Sequence, residues 1–327
     1  MTKVSAGCRS SYMDAGALPV TELDSSFYRL LGVRAAVLRL DETHPQISGN
    51  KWFKLLPLIR RLEAGERPKL LSFGGVWSNH LHALAFVGQR FGVETMAFVR
   101  GHPGQVETAM LQDARRWGMK IRYLDRETYA RRNEAGFVES LRCDHPGWEY
   151  LPEGGSNADA VAGCSEIWSL LSTSDWSQPD LLACALGTGG TLAGLIAGKP
   201  ADTRILGVPV LELGAQAESS VRRLLGEAGR DDPGGWELDL GGACGGYARL
   251  PSSLAHFICT FEQRYSVPLD PVYTAKLFQA VNRRIISGKL APGSRVLFVH
   301  TGGLQGRRGM QARIDRALSA FQGPQPL

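Results

Sequence analysis

Short apolar runs alternate with longer amphipathic stretches along most of this chain. The runs at 36–40, 70–73, 95–99 and 120–124 read as buried strands, and so do those at 181–186, 205–210 and 296–299. Between them, apolar spacings of three and four predict helices over 81–91, 106–117 and 274–287. Regular alternation of strand and helix predicts an α/β fold, with open, mostly parallel twisted sheets flanked by helices. At 327 residues the chain is long enough for two lobes rather than one. Turn-rich stretches at 144–147 and 152–157 mark the expected boundary. The division is then a small domain of 51–154 and a large one of 1–50 with 155–327.

Composition narrows the class. A hydrophobic content of 43% and a charged content of 21% are those of a folded soluble protein. The net charge of +5 is spread over scattered arginine pairs, an arrangement that suits small anionic ligands and argues against nucleic acid as a partner. The six cysteines include no CxxC pair, and Cys184 lies in an apolar run, which predicts buried free thiols and a reducing compartment. With no apolar leader and no long apolar span, a cytoplasmic protein that does not cross a membrane is expected.

In sheets of this kind, ligands collect beyond the carboxyl ends of the strands. Several loops there carry chemistry. Lys51 follows Gly49-Asn50 at the mouth of a helix, where its amine can meet a reactive carbonyl and form a Schiff base. Ser78 and Asn79 precede a helix beginning near Leu81 and either simply cap it or, with His80 and the N–H groups there, form an anion site, where a substrate carboxylate belongs if Lys51 anchors a cofactor. Gly187-Thr188-Gly189-Gly190-Thr191 follows the 181–186 run and opens another helix; its glycines and hydroxyls suit a single phosphate. Thr301, in His300-Thr301-Gly302-Gly303, stands where its hydroxyl can reach an aromatic nitrogen. Tyr247 and Tyr273 are candidate proton carriers. A metal site is not expected, since His80 and His82 are two apart and diverge on a helix, and no hydrolase elbow or glycosidase acid pair is present.

Taken in order, Gly49-Asn50-Lys51 with Lys54-Leu55, Ser78-Asn79-His80, the Gly187–Thr191 loop, Leu269-Asp270-Pro271-Val272-Tyr273 and His300-Thr301-Gly302-Gly303 resemble the pyridoxal-phosphate enzymes of the 1-aminocyclopropane-1-carboxylate deaminase and D-cysteine desulfhydrase family. The resemblance implies a two-lobed tryptophan-synthase-β-like fold, pyridoxal phosphate as cofactor, a small amino acid as substrate and a homodimer. It also implies that Lys51 bonds the cofactor and shuttles the Cα proton, and that Asn79 meets the phenolic oxygen. Ser78 and adjacent N–H groups would take the substrate carboxylate, the Gly187–Thr191 loop the phosphate, and Thr301 the ring nitrogen, with Tyr247 and Tyr273 over the substrate side chain.

Family members that open the cyclopropane ring place Glu after the second tyrosine, where this chain has Thr274. The resemblance therefore favours deaminating α,β-elimination on D-cysteine or a close relative. Cyclopropane-ring deamination is the alternative within the class, and a catalytically silent cofactor- or amino-acid-binding homologue is the alternative outside it. Trp77, where the family has Gln, and Ala248-Arg249 after Tyr247 also depart from the pattern.

Overall fold

The computed structural model describes residues 18–320, except Leu213 and Ala215. Its strands are β1 (Val20–Glu22), β2 (Arg34–Leu38), β3 (Lys69–Gly74), β4 (Thr95–Arg100) and β5 (Lys120–Leu124), followed by β6 (Trp148–Leu151), β7 (Leu181–Leu186), β8 (Arg204–Pro209), β9 (Trp236–Leu238) and β10 (Arg295–Val299). They form a six-stranded sheet, ordered β1-β2-β10-β7-β8-β9, and a four-stranded sheet, ordered β5-β4-β3-β6. Only β1 pairs antiparallel; every other pairing is parallel. The predicted α/β architecture with helix-flanked parallel sheets is the one observed.

The sequence explains why. β7 reads Leu-Leu-Ala-Cys-Ala-Leu and is buried along its whole length, so it has no polar face to offer water and must be covered on both sides. β5, Lys-Ile-Arg-Tyr-Leu, alternates and occupies an edge.

The first apolar run differs from expectation at its end. β2 stops at Leu38 because Leu40–Glu42 turns into a 3₁₀ segment. The helix expected over 106–117 spans Ala109–Arg116, since the Thr108 hydroxyl accepts from the Leu111 N–H (3.3 Å) and caps it there. β1, β6 and β9 were not expected; at three or four residues each they are too short to show a repeat.

The helix Asn50–Glu63 carries Lys51 and packs against both Ala158–Ser165 and Asn79–Phe91. Its Pro57 cannot donate to the Phe53 carbonyl. Gly163 sits against that carbonyl so closely that a Cβ would lie 2.0 Å from its oxygen. Gly194, in the helix Gly190–Gly198, approaches Cys164 in the same way, with a Cβ placed 2.4 Å from the cysteine Cβ. Two glycines thus bring the Lys51 helix and the helix after β7 onto one shared layer.

Cys164 and Cys184 are buried free thiols, as expected, whereas Cys143 is exposed; Cys8 lies outside the described residues. Among the described residues no helix is long and apolar enough to cross a membrane.

Candidate active site

The carboxyl ends of β3, β7 and β10 face a cavity of about 400 Å³. Lys51, Ser78, Asn79 and His80 line one side of it. Gly187, Thr188, Gly189 and Thr191 line another, with Tyr247, Tyr273 and Thr301 closing the rest. Of the residues given a binding or catalytic role from the sequence, all but Gly190 reach the cavity surface; Gly190 starts the helix Gly190–Gly198, where a side chain would meet the Ser156 hydroxyl at 2.8 Å.

Lys51 is fixed by the backbone beneath it. Gly49 adopts φ 73° and ψ −147°, a conformation open essentially to glycine alone, and a Cβ there would lie 2.1 Å from the Thr301 carbonyl oxygen. The next residue bridges the site: the Asn50 N–H donates to that carbonyl (3.1 Å), its side-chain amide donates to Thr191 Oγ1 (2.7 Å), and its Oδ1 accepts from Lys51 Nζ (3.0 Å). Three sequence-distant loops therefore meet at Asn50. Burial, with the positive Lys54 beside it, holds the Lys51 amine well below the ordinary lysine range. A free amine near neutral pH is a nucleophile.

Lys54, not expected as a site residue in its own right, is buried one turn further on. Its Nζ donates to Gly154 O (3.0 Å), Ser156 Oγ (2.8 Å) and Thr188 Oγ1 (3.4 Å), and burial lowers its pKa to about 8. It places a positive charge directly behind the glycine loop. Gly189 there has φ 93°, and Gly187 leaves room for the Tyr273 ring, whose Cε1 would be 3.2 Å from an added Cβ. The outcome is a cradle of backbone N–H groups at a helix N-terminus, backed by a lysine and closed by a tyrosine. It fits a phosphate.

On the opposite wall, the Ser78 Oγ accepts from Leu81 N–H (3.2 Å), which leaves its own O–H free to donate. The first-turn N–H groups of Asn79 and His80 have no acceptor within the helix. Gln305 donates to Asn79 Oδ1 (2.6 Å) and to the Trp77 carbonyl (3.2 Å), so the Asn79 amide NH₂ is the end left to turn elsewhere. The His80 ring faces away from an anion. Ser72 gives its only proton to the Leu151 carbonyl (2.8 Å), so it accepts from His80 Nε2 (2.9 Å), and Nδ1 is a bare, buried acceptor without a partner among the described residues. Burial, with the positive Lys54 nearby, holds this ring's pKa well below the ordinary histidine range. What His80 can give a carboxylate is its backbone N–H.

Thr301 follows β10 and is held by the Asn50 bond and by buried His300, whose Nδ1 accepts from Gly302 N–H (3.2 Å) while its Nε2 meets the Pro268 carbonyl (2.7 Å). Thr274 is fully buried and reciprocally bonded to the Asp270 backbone, accepting from its N–H (2.7 Å) and donating to its carbonyl (3.1 Å). Asp270 Oδ1 accepts from the Val272 and Tyr273 N–H groups and so orients Tyr273. Burial pushes the Tyr273 phenol well above the ordinary tyrosine range and the contact with Tyr247 raises it further, whereas Tyr247 itself is half exposed. Trp77 rests on Gly309, where a Cβ would come within 2.3 Å of the indole.

A two-sheet α/β protein whose strand ends converge on a nucleophilic lysine, a phosphate cradle and a hydroxyl donor is built as a cofactor enzyme. Residues 13–302 match the family described as "Pyridoxal-phosphate dependent enzyme", and the chain belongs to that family. It is 29% identical over 300 residues to "Putative 1-aminocyclopropane-1-carboxylate deaminase" of Thermotoga maritima, covering 86% of this chain and 93% of that one. It is also 26% identical to "Bifunctional D-cysteine desulfhydrase/1-aminocyclopropane-1-carboxylate deaminase, mitochondrial" of Arabidopsis thaliana, covering 88% of this chain and 76% of that one. The solved structure of an "ACC deaminase homologue" superposes with a TM-score of 0.80 at 26% identity, covering 92% of this chain and 94% of the other. The resemblance drawn from the motifs and the expected cofactor are thus borne out: the chain is a pyridoxal-phosphate-dependent enzyme.

Proposed function

We propose that this enzyme catalyses deaminating α,β-elimination on a small amino acid of the D-cysteine type, with Lys51 as cofactor anchor and proton carrier. The observation that carries the reading is the convergence of Lys51, the Ser78–His80 helix start, the Gly187–Thr191 loop and Thr301 on one cavity. When bound, pyridoxal phosphate supplies an electron sink for the charge left at Cα.

In this reading the chain's own groups divide the work. The N–H groups of 187–191 hold the phosphate, with the Lys54 ammonium behind them. The Asn79 amide would hold the cofactor's phenolic oxygen, and the Thr301 hydroxyl would face its ring nitrogen as a donor rather than as a carboxylate. The Ser78 hydroxyl and the Asn79 and His80 N–H groups take the substrate carboxylate. Lys51 removes the Cα proton and the tyrosine pair stands where the leaving group departs. Thr274, committed to the Asp270 backbone, offers no carboxylate to a protonated ring nitrogen, which favours elimination over ring opening.

Ring opening of 1-aminocyclopropane-1-carboxylate is the second reading, favoured by the names of the relatives. Keto-acid assays separate the two: sulfide and pyruvate from D-cysteine support elimination, 2-oxobutyrate from the cyclopropane supports ring opening. A holoenzyme that releases no keto acid from a broad D- and L-amino acid panel overturns both. A homodimer, a cytoplasmic location and the 51–154 small domain belong to the same reading; light scattering, fractionation and limited proteolysis test them in turn.

A further inference from the structure

The cavity contains more positive charge than a phosphate and one carboxylate need. The carboxyl edge of the four-stranded sheet supplies Ser78 after β3, Arg100 at the end of β4, Arg126 shortly after β5 and Glu153 after β6. Register brings two of these together: Arg100 pairs with Leu124, the last residue of β5, two positions before Arg126. Both arginines line the same cavity as Lys51, and so does Arg132.

Their charges are unequally answered. Glu153 accepts from Arg132 Nε through one oxygen (2.6 Å) and from the Tyr129 hydroxyl through the other (2.5 Å), so its carboxylate is spent. Arg100 and Arg126 form no ion pair among the described residues. Neither lysine can claim a distal anion: Lys51 points to Asn50, and Lys54 is turned to Gly154, Ser156 and Thr188 on the phosphate side. The Arg132 and Arg100 guanidiniums lie 4.6 Å and 6.0 Å from the Tyr129 ring centre, which keeps this wall of the mouth cationic and ordered.

We infer that the substrate's side chain ends in an anionic group, received by Arg100 and Arg126 at the cavity mouth. This rests on the elimination reading and narrows its substrate class to amino acids whose β-leaving group is a phosphate, sulfonate or carboxylate-bearing anion. Cysteine, neutral in its side chain, is the poorer substrate. The step balances without a further reactant. The Cα proton goes to Lys51, the Cβ–X bond breaks with its electron pair on X, and water hydrolyses the released enamine to pyruvate and ammonium. Arginine suits the departing group because its planar fork binds phosphate and sulfonate oxygens in pairs.

The test measures kcat/KM of the holoenzyme by keto-acid release, using both enantiomers of serine O-phosphate, cysteine S-sulfonate and neutral β-chloroalanine. The inference expects an anionic substrate to be preferred at least about tenfold at low salt, with the preference shrinking as ionic strength rises. The double variant Arg100→Gln/Arg126→Gln is expected to cut that preference at least about tenfold. Turnover of β-chloroalanine without an anionic preference, or a preference the double variant retains, overturns the inference and leaves the elimination reading standing. No turnover of any substrate overturns the elimination reading instead. Thermal stabilisation by aspartate against asparagine then decides the anion subsite: a larger shift with aspartate that the double variant loses supports it, and equal shifts overturn it.

Discussion

Gly49→Ala tests whether the Lys51 anchor depends on the close backbone approach at Thr301. An added Cβ would lie 2.1 Å from the Thr301 carbonyl oxygen, 2.5 Å from its carbon and 2.7 Å from Gly302 Cα, so two backbone segments must separate by roughly 1 Å to restore ordinary contact. That separation breaks the Asn50-to-Thr301 bond of 3.1 Å, worth about 1 kcal/mol. Holding a non-glycine residue at φ 73° and ψ −147° adds about 1–3 kcal/mol. The expected loss is roughly 2–4 kcal/mol, a large share of a total that is typically about 5–15 kcal/mol. Gly92→Ala is the control: φ is 67° there too, yet nothing lies within 4 Å of the new Cβ, so only the conformational cost of about 1 kcal/mol remains. Calorimetry of the two holoenzymes should show Tm lowered by about 10 °C for Gly49→Ala and only about 2–4 °C for Gly92→Ala. Cofactor occupancy should fall in the first alone. Equal Tm losses, or full cofactor occupancy in Gly49→Ala, would refute the reasoning.

Other expectations follow from the buried charges. Burial pushes the Asp270 carboxyl up to about 7, so its contribution to stability is complete below the ordinary aspartate range and is lost as pH climbs through about 7. Chemical denaturation should show wild type losing up to roughly 4 kcal/mol relative to Asp270→Asn between about pH 4 and about pH 8; a flat difference contradicts this. Lys276, fully buried, donates to the carbonyls of Val210 (3.4 Å), Ala243 (2.8 Å) and Gly246 (2.6 Å), the last beside Tyr247. Lys276→Met should cost about 2 kcal/mol in denaturant titrations and raise KM more than it lowers kcat, because it frees the Tyr247 loop. The depressed Lys51 pKa predicts that stopped-flow cofactor uptake by the apoenzyme begins to slow, as pH falls, only well below the ordinary lysine range; a fall-off within that range contradicts it.

The site was legible where chemistry and sequence proximity coincide. Gly187–Thr191 and Ser78–His80 are contiguous loops that join a strand to a helix, so their anion-binding geometry is local and the residue types announce it. Lys54 was visible only as part of a motif, because its three partners come from residues 154, 156 and 188, which folding alone assembles. Gln305 was missed for the same reason: it fixes Asn79 across 226 positions of chain. The mouth arginines left a faint signal. Arg100 is the first charged residue after the 95–99 apolar run, the place where a strand delivers its chain to the crevice. The fold was legible through its longer buried strands, such as β7 and β10, and was not through β1, β6 and β9, whose positions are set by pairing with neighbours.

The central claim is that Lys51, and not its neighbour, carries the cofactor. Lys54 lies one turn away and also has a lowered pKa, of about 8, so the two are genuine competitors. Reducing the holoenzyme with borohydride and mapping the pyridoxyl label by peptide mass spectrometry distinguishes them directly. The account predicts stoichiometric label on Lys51, with none on Lys54 or Lys276. Label on Lys54, or its persistence elsewhere in Lys51→Ala at wild-type yield, would contradict it.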